Sequence, residues 1–68
     1  MEVKHRLREF IDANNDTLVE LAKYLGITYQ TLSKKMNEHA PFTREELIKI
    51  KQRYNLTADQ MDYIFFRG

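Results

Sequence analysis

Cysteine is absent from the 68-residue sequence, which also holds only one proline and two glycines. Without cysteine there are no disulfides and no thiolate metal ligands, so nothing implies an oxidising compartment. No apolar run is long enough to cross a membrane, and the N-terminal segment has no signal-peptide core. These absences favour a cytoplasmic protein without a membrane anchor.

The sequence also has almost equal numbers of positive and negative side chains, with eleven lysines and arginines and ten aspartates and glutamates. A strongly basic chain would by itself indicate a nucleic-acid partner, and a net charge of +1 does not. The 43% of hydrophobic and 31% of charged residues indicate a folded globular chain. The length suits one small domain, residues 1–68.

Helical periodicity dominates the sequence, and no stretch alternates long enough for a strand. We predict an all-α fold, a compact bundle of five short helices. The first runs from Glu2 to Ala13, the second from Thr17 to a stop at Gly26, and the third from Thr28 to about Asn37. The fourth and fifth begin at Thr43 and Thr57.

Three of these helices begin with a capping box, in which a threonine hydroxyl accepts a backbone N–H and a later Glu or Gln reaches back. The pairs are Thr17–Glu20, Thr43–Glu46 and Thr57–Gln60. Glycine tolerates the left-handed conformation that ends helices, so Gly26 marks the end of the second helix. The apolar side predicted for the fourth helix consists of Leu47, Ile48, Ile50 and Tyr54.

Residues 17–37 read TLVELAKYLGITYQTLSKKMN, two short helices joined by a turn at Gly26. Ala22 is small where the two helices would cross closely. The segment resembles the helix-turn-helix of the phage Cro and repressor family, also called the XRE family, and the resemblance extends over nearly the whole chain. It implies a lambda-repressor-like DNA-binding domain with the motif in helices 2 and 3. The matching residues are Leu21, Ala22, Leu25, Gly26, Ile27 and Leu32.

Two positions depart from the family pattern. Lys35 stands where an apolar residue is usual, and Met36 takes the core role one place later. Leu18 stands where the family often has a glutamine that contacts DNA, so that contact is not expected here.

The third helix has an outward face suited to nucleobases. With Leu32 and Met36 pointing inward, at about 100° per residue, the opposite face carries hydrogen-bonding side chains. No carboxylate occurs in residues 27–37, which suits a helix that approaches phosphates. By resemblance, the first turn of this helix enters the groove. The predicted base-reading residues are Thr28, Tyr29, Gln30, Ser33, Lys34 and Asn37.

Phosphate contacts are predicted for Thr17, Lys35, Thr43 and Arg44. Tyr29 lies about 60° from Leu32 around the helix, so its ring either packs against the second helix or contacts base or sugar. Both readings stay open, and the two adjacent lysines could equally form an ordinary solvated face.

Catalysis, metal and cofactor binding are not predicted. His5 and His39 have no ligand-like spacing, and the paired acids of the fourth and fifth helices fit caps and helix dipoles better than acid–base chemistry. There is no glycine-rich phosphate loop and no nucleophile–base pair. No small-molecule ligand is expected either.

Tyr63 and Phe66 form a second apolar stripe on the fifth helix, which is either ordinary exposed surface or a dimer contact, and we favour the dimer. The leading hypothesis is a phage-type or prophage-type Cro-like repressor. It would bind operator DNA as a homodimer, which could form only on DNA, and act by occlusion. The alternatives are an excisionase-like architectural factor and a protein-interaction module such as an antitoxin, an antirepressor or a regulatory subunit.

Overall fold

The computed structural model describes residues 3–66, and its regular structure there is helical throughout. The α-helices are α1 (Val3–Ala13), α2 (Leu18–Leu25), α3 (Tyr29–Met36), α4 (Arg44–Arg53) and α5 (Ala58–Met61). A π-helix, Asp62–Phe66, continues directly from α5. The predicted all-α bundle of five short helices is confirmed. Glu2, the predicted first residue of the first helix, lies outside the described residues. None of the helices in residues 3–66 is long and apolar enough to span a membrane.

Threonine hydroxyls fix where four of the helices begin, each accepting the backbone N–H three residues later. The capping boxes predicted at Thr43 and Thr57 are complete. The one predicted at Thr17 is only half formed, because the Glu20 carboxylate instead lies 3.7 Å from the ammonium of Lys23. These caps set the short helices and the tight turns between them.

Gly26 makes the turn between α2 and α3, as predicted. Its φ of 77° is left-handed, and its N–H donates to the carbonyls of Ala22 and Lys23. The next N–H, from Ile27, donates to the Ala22 carbonyl at 3.0 Å. These bonds close the end of α2 and turn the chain sharply into α3.

The core draws apolar side chains from all the helices. Leu32 and Met36 are buried, as predicted for the inward side of α3, and Ala22 on α2 is 3% exposed. The prediction for Ile48 was wrong, since 42% of it is exposed. Leu47, Ile50 and Tyr54 share one side of α4, and Ile48 lies about 100° past Leu47. The buried set is Leu7, Ile11, Leu21, Ala22, Leu25, Leu32, Met36, Ile50, Tyr54, Leu56, Met61 and Ile64.

A polar cluster that the sequence did not predict ties the turn before α2 to the end of α4. The guanidinium of Arg53 donates to both oxygens of Asp16, at 2.8 and 3.0 Å, and the Tyr54 hydroxyl donates to the same carboxylate at 2.6 Å. The hydrogen bonds from Arg53, with further ones from Tyr54 and the Thr17 backbone, lower the pKa of Asp16 well below its usual range. Burial and the Asp16 carboxylate raise the pKa of Tyr54.

The π-helix is held against α1 through Tyr63. Arg6 donates to the Tyr63 carbonyl at 2.8 Å, and its guanidinium lies 4.7 Å from the centre of the Tyr63 ring. The Tyr63 hydroxyl lies 3.2 Å from both oxygens of Glu9. Tyr63 is half-buried by these contacts, and the dimer contact predicted for it stays a prediction.

Candidate nucleic-acid interface

The outward face of α3 presents three side chains without partners. Tyr29, Gln30 and Lys34 are exposed, and within residues 3–66 their side chains form no hydrogen bond or ion pair. The ring of Tyr29 is not packed away, since 47% of this residue is exposed. We call these three residues the reading face. It offers an amide, an ammonium and a phenol in adjacent turns of one helix.

The local sequence explains why this face points outward. Leu32 and Met36 anchor the opposite side of α3 in the core, and Thr28 caps its start by accepting the Thr31 N–H at 3.1 Å. The first turn carries no acidic residue, so nothing compensates the positive end of the helix dipole. This end of α3 therefore favours an approaching anion or hydrogen-bond acceptor.

The other predicted base-reading residues make bonds within the protein. The Thr28 hydroxyl serves the cap and also lies 2.9 Å from the hydroxyl of Thr31. The Asn37 amide donates to the Ser33 carbonyl at 3.0 Å, and Ser33 is half-buried. Thr28 could still contact a base through its methyl group, and Asn37 through its side-chain oxygen. Any other base contact by these residues would have to replace a hydrogen bond within the protein.

The side chain of Lys35 joins α3 to α4. Its ammonium forms an ion pair with Glu46 on α4, and each of the two side chains is only 10% exposed. The ion pair neutralises the charge of Lys35 within the protein, and the phosphate contact predicted for Lys35 stays a prediction. The sequence did show a lysine at a position that is usually apolar and a glutamate in the capping box of Thr43. Nothing in the sequence indicated that these two residues form a pair.

The Glu46 carboxylate receives two donors at one oxygen, the Lys35 ammonium and the Thr43 N–H, the latter at 2.8 Å. Burial raises the pKa of Glu46, but the hydrogen bonds from Lys35 and Thr43 together lower it by more than burial raises it. The pKa of Glu46 therefore lies below its usual value. Glu46 is therefore a charged partner of Lys35 at neutral pH.

The three other predicted phosphate contacts are all exposed. The hydroxyls of Thr17 and Thr43 accept cap hydrogen bonds, at 3.2 and 3.1 Å, and the acidic Glu20 stands in the first turn after Thr17. The Arg44 side chain, at the start of α4, has no partner within residues 3–66. Of the four predicted phosphate anchors, Arg44 is the one whose positive charge is available.

An apolar groove lies between α4 and the C-terminal helical segment. It has a volume of about 400 Å³, and its lining includes Leu47, Ile48, Met61 and Phe66. Phe66 is 66% exposed, as its predicted role in a dimer contact requires. Within the described residues, no three His, Asp or Glu side chains are grouped so that they could hold a metal ion.

A family model described as helix-turn-helix matches residues 7–61. The match begins within α1 and ends with α5, so it includes the turn at Gly26 and the whole of α3. No curated protein and no solved structure gives a significant match to the chain.

Proposed function

Because the chain belongs to the helix-turn-helix family, whose members are DNA-binding regulators of the XRE type, we propose that it reads the major groove of double-stranded DNA with α3. The observation that carries this proposal is the reading face, three exposed and unpartnered side chains on a helix with no acidic residue. A solvated helix face has no need to exclude carboxylates, whereas a helix that enters a groove lined by phosphates does.

The chemistry of the reading face fits base edges. Glutamine at position 30 can pair with adenine through N6 and N7, and Lys34 can donate to guanine O6 and N7. Tyr29, which is 47% exposed, would contact a base or sugar at the edge of the groove. Arg44, together with the N-terminal ends of α2 and α4 at Thr17 and Thr43, would contact phosphates and fix the register.

The finer proposal is a Cro-like repressor of phage or prophage type that acts in the cytoplasm by covering its operator. In a homodimer joined at the apolar groove, Phe66 of each copy would pack into the groove of the other copy. Such a homodimer would have two-fold symmetry. Such a dimer places two recognition helices about 34 Å apart and requires a palindromic operator. Replacing Phe66 by lysine should then weaken binding to the whole operator and leave binding to one half-site unchanged.

The test of base reading compares two glutamines. Gln30→Ala should cost about 1–3 kcal/mol at one base-pair position and relax specificity there. Gln52→Ala is the matched control, because Gln52 is also an exposed helical glutamine but lies on α4. Duplexes selected from a random pool by each protein report the preference. Unchanged selection by Gln30→Ala would show that α3 does not read bases in this register.

The apolar groove favours a second candidate function, a protein-interaction module that keeps the helix-turn-helix shape. Most of the surface that its lining exposes is apolar, although Arg44, Lys51 and Asp62 also stand around it. The exposed Ile48 and Phe66 are typical of a surface that binds another protein. Titration of duplex binding with salt separates the candidates. A DNA-binding protein loses affinity steeply as salt rises, whereas the module would not bind duplexes even at low salt.

A further inference from the structure

The ion pair between Lys35 and Glu46 joins the two elements that the proposed function brings to DNA. Lys35 follows Lys34 of the reading face, and Glu46 lies in the first turn of α4, two residues after Arg44. Both side chains are 10% exposed, so the link between α3 and α4 is largely shielded from water. It connects base-contacting and phosphate-contacting parts of the surface directly.

One carboxylate sets this connection. Glu46 is fixed by its capping box, in which its oxygen accepts the Thr43 N–H at 2.8 Å and its own N–H donates to the Thr43 hydroxyl at 3.1 Å. The Lys35 ammonium donates to the same oxygen. The C-terminal half of α3 is therefore bonded to a carboxylate whose position is set by the start of α4.

Neither capping nor stability accounts for the lysine. The capping box at Thr57 has the same geometry with Gln60, whose oxygen accepts the Thr57 N–H at 2.8 Å, without a lysine. A buried ion pair loses much of its attraction to the cost of removing two charges from water, and apolar side chains of similar size often give equal or greater stability. What the pair supplies, and an apolar contact does not, is a directional bond between α3 and α4.

We propose that Lys35 and Glu46 are positioning residues for DNA recognition, which hold the reading face and Arg44 in the one relative orientation that fits a single duplex. The inference rests on the proposed function. Binding sites require side chains to be held within about 0.5 Å and 10–20° of the productive geometry. If the link between Lys35 and Glu46 is loosened, the phosphate contacts persist but the base contacts lose their alignment. The preference for one DNA sequence then falls, while the affinity for non-specific DNA does not.

The test is the double variant Lys35→Met/Glu46→Gln. Methionine is close to lysine in length, glutamine can keep the capping box as Gln60 does, and the net charge is unchanged. The probes are a duplex selected from a random pool by the wild-type protein and a scrambled duplex of equal length. The ratio of the affinity for the selected duplex to the affinity for the scrambled duplex should fall about tenfold. This fall corresponds to about 1.4 kcal/mol of binding free energy. Affinity for the scrambled duplex and its salt dependence should stay at the wild-type level.

Glu46→Gln alone is the conservative control, since Lys35 can still donate to the amide oxygen, and its affinity ratio should stay near that of the wild type. A folded double variant with an unchanged ratio would overturn the proposal. So would an equal loss on both duplexes with a weaker salt dependence, which would mean that Lys35 contacts phosphate itself.

If the double variant does not fold, Lys35→Gln/Glu46→Gln replaces it. This variant leaves no buried charge unpaired, and its shorter side chain at position 35 must draw α3 toward α4 to keep the bond. The wild-type protein, which has the same net charge, is the reference. A lower affinity ratio in this variant supports the proposal, and a ratio equal to that of the wild type overturns it. Failure of the proposed function looks different, because the wild-type protein would then enrich no duplex at low salt.

Discussion

Removing the Asp16 carboxylate should destabilise the fold far more than removing an exposed acid of the same type. In Asp16→Ala, Arg53 loses both of its bonds to the carboxylate and the Tyr54 hydroxyl loses its acceptor. Exposed ion pairs contribute about 0–1 kcal/mol, and breaking a buried pair costs about 3–5 kcal/mol. The side chains of Asp16 and Arg53 are 11% and 26% exposed, so we expect a loss of about 2–3 kcal/mol.

That loss is large for a chain of this size, whose total stability is expected to be about 3–10 kcal/mol. It corresponds to a fall of about 10–20 °C in the unfolding midpoint. The assay is urea denaturation followed by helical circular dichroism. The control is Asp12→Ala, which removes an exposed pair with Arg8 and should cost less than about 0.5 kcal/mol. Equal losses in the two variants would refute the reasoning.

The same cluster predicts how stability depends on pH. The pKa of Asp16 is lowered in the folded state from an ordinary value of 3.8, chiefly by Arg53. Its stabilisation is therefore complete above that value and is lost as the pH falls below it and the carboxylate becomes protonated. Acid should destabilise the wild-type protein more steeply than Asp16→Asn, and parallel pH profiles for the two proteins would contradict this.

Two further predictions concern residues with positive φ. Gly26→Ala should cost about 1–2 kcal/mol through the left-handed φ of 77° alone, because an added methyl group would meet no atom within 4 Å; an unchanged urea midpoint would contradict this. Glu38 has a φ of 63°, so Glu38→Asn should raise the thermal midpoint, since asparagine tolerates this conformation better. A lower midpoint in Glu38→Asn would show that the Glu38 side chain contributes more than the strain costs.

The helices could be predicted from sequence because their signals are local. Each threonine cap lies within three residues of its partner, and Gly26 needs only its own backbone to make the turn. The outward direction of Gln30 and Lys34 follows from helical periodicity once Leu32 is assigned to the core. The prediction was wrong at Ile48 because this residue lies about 100° around α4 from Leu47, and the sequence did not show which of the two adjacent apolar residues faces the core.

The contacts that could not be predicted join residues far apart in the chain. Asp16 and Arg53 are 37 residues apart, and no periodicity relates them. Lys35 looked like a free cation because its partner, Glu46, was already assigned to a cap. Tyr63 looked like exposed surface because its contacts with Arg6 and Glu9 arise only when the ends of the chain meet. Long-range polar pairing therefore decides which predicted site residues remain available.

The most direct measurement is the side-chain amide resonance of Gln30 during titration with a duplex selected from a random pool. If α3 reads DNA, this resonance shifts on binding and shows magnetisation transfer to base protons of the major groove. The amide resonance of Gln52, an exposed glutamine on α4, should remain unchanged. An unmoved Gln30 resonance, with shifts confined to Ile48, Phe66 and their neighbours, would contradict the claim that α3 reads DNA.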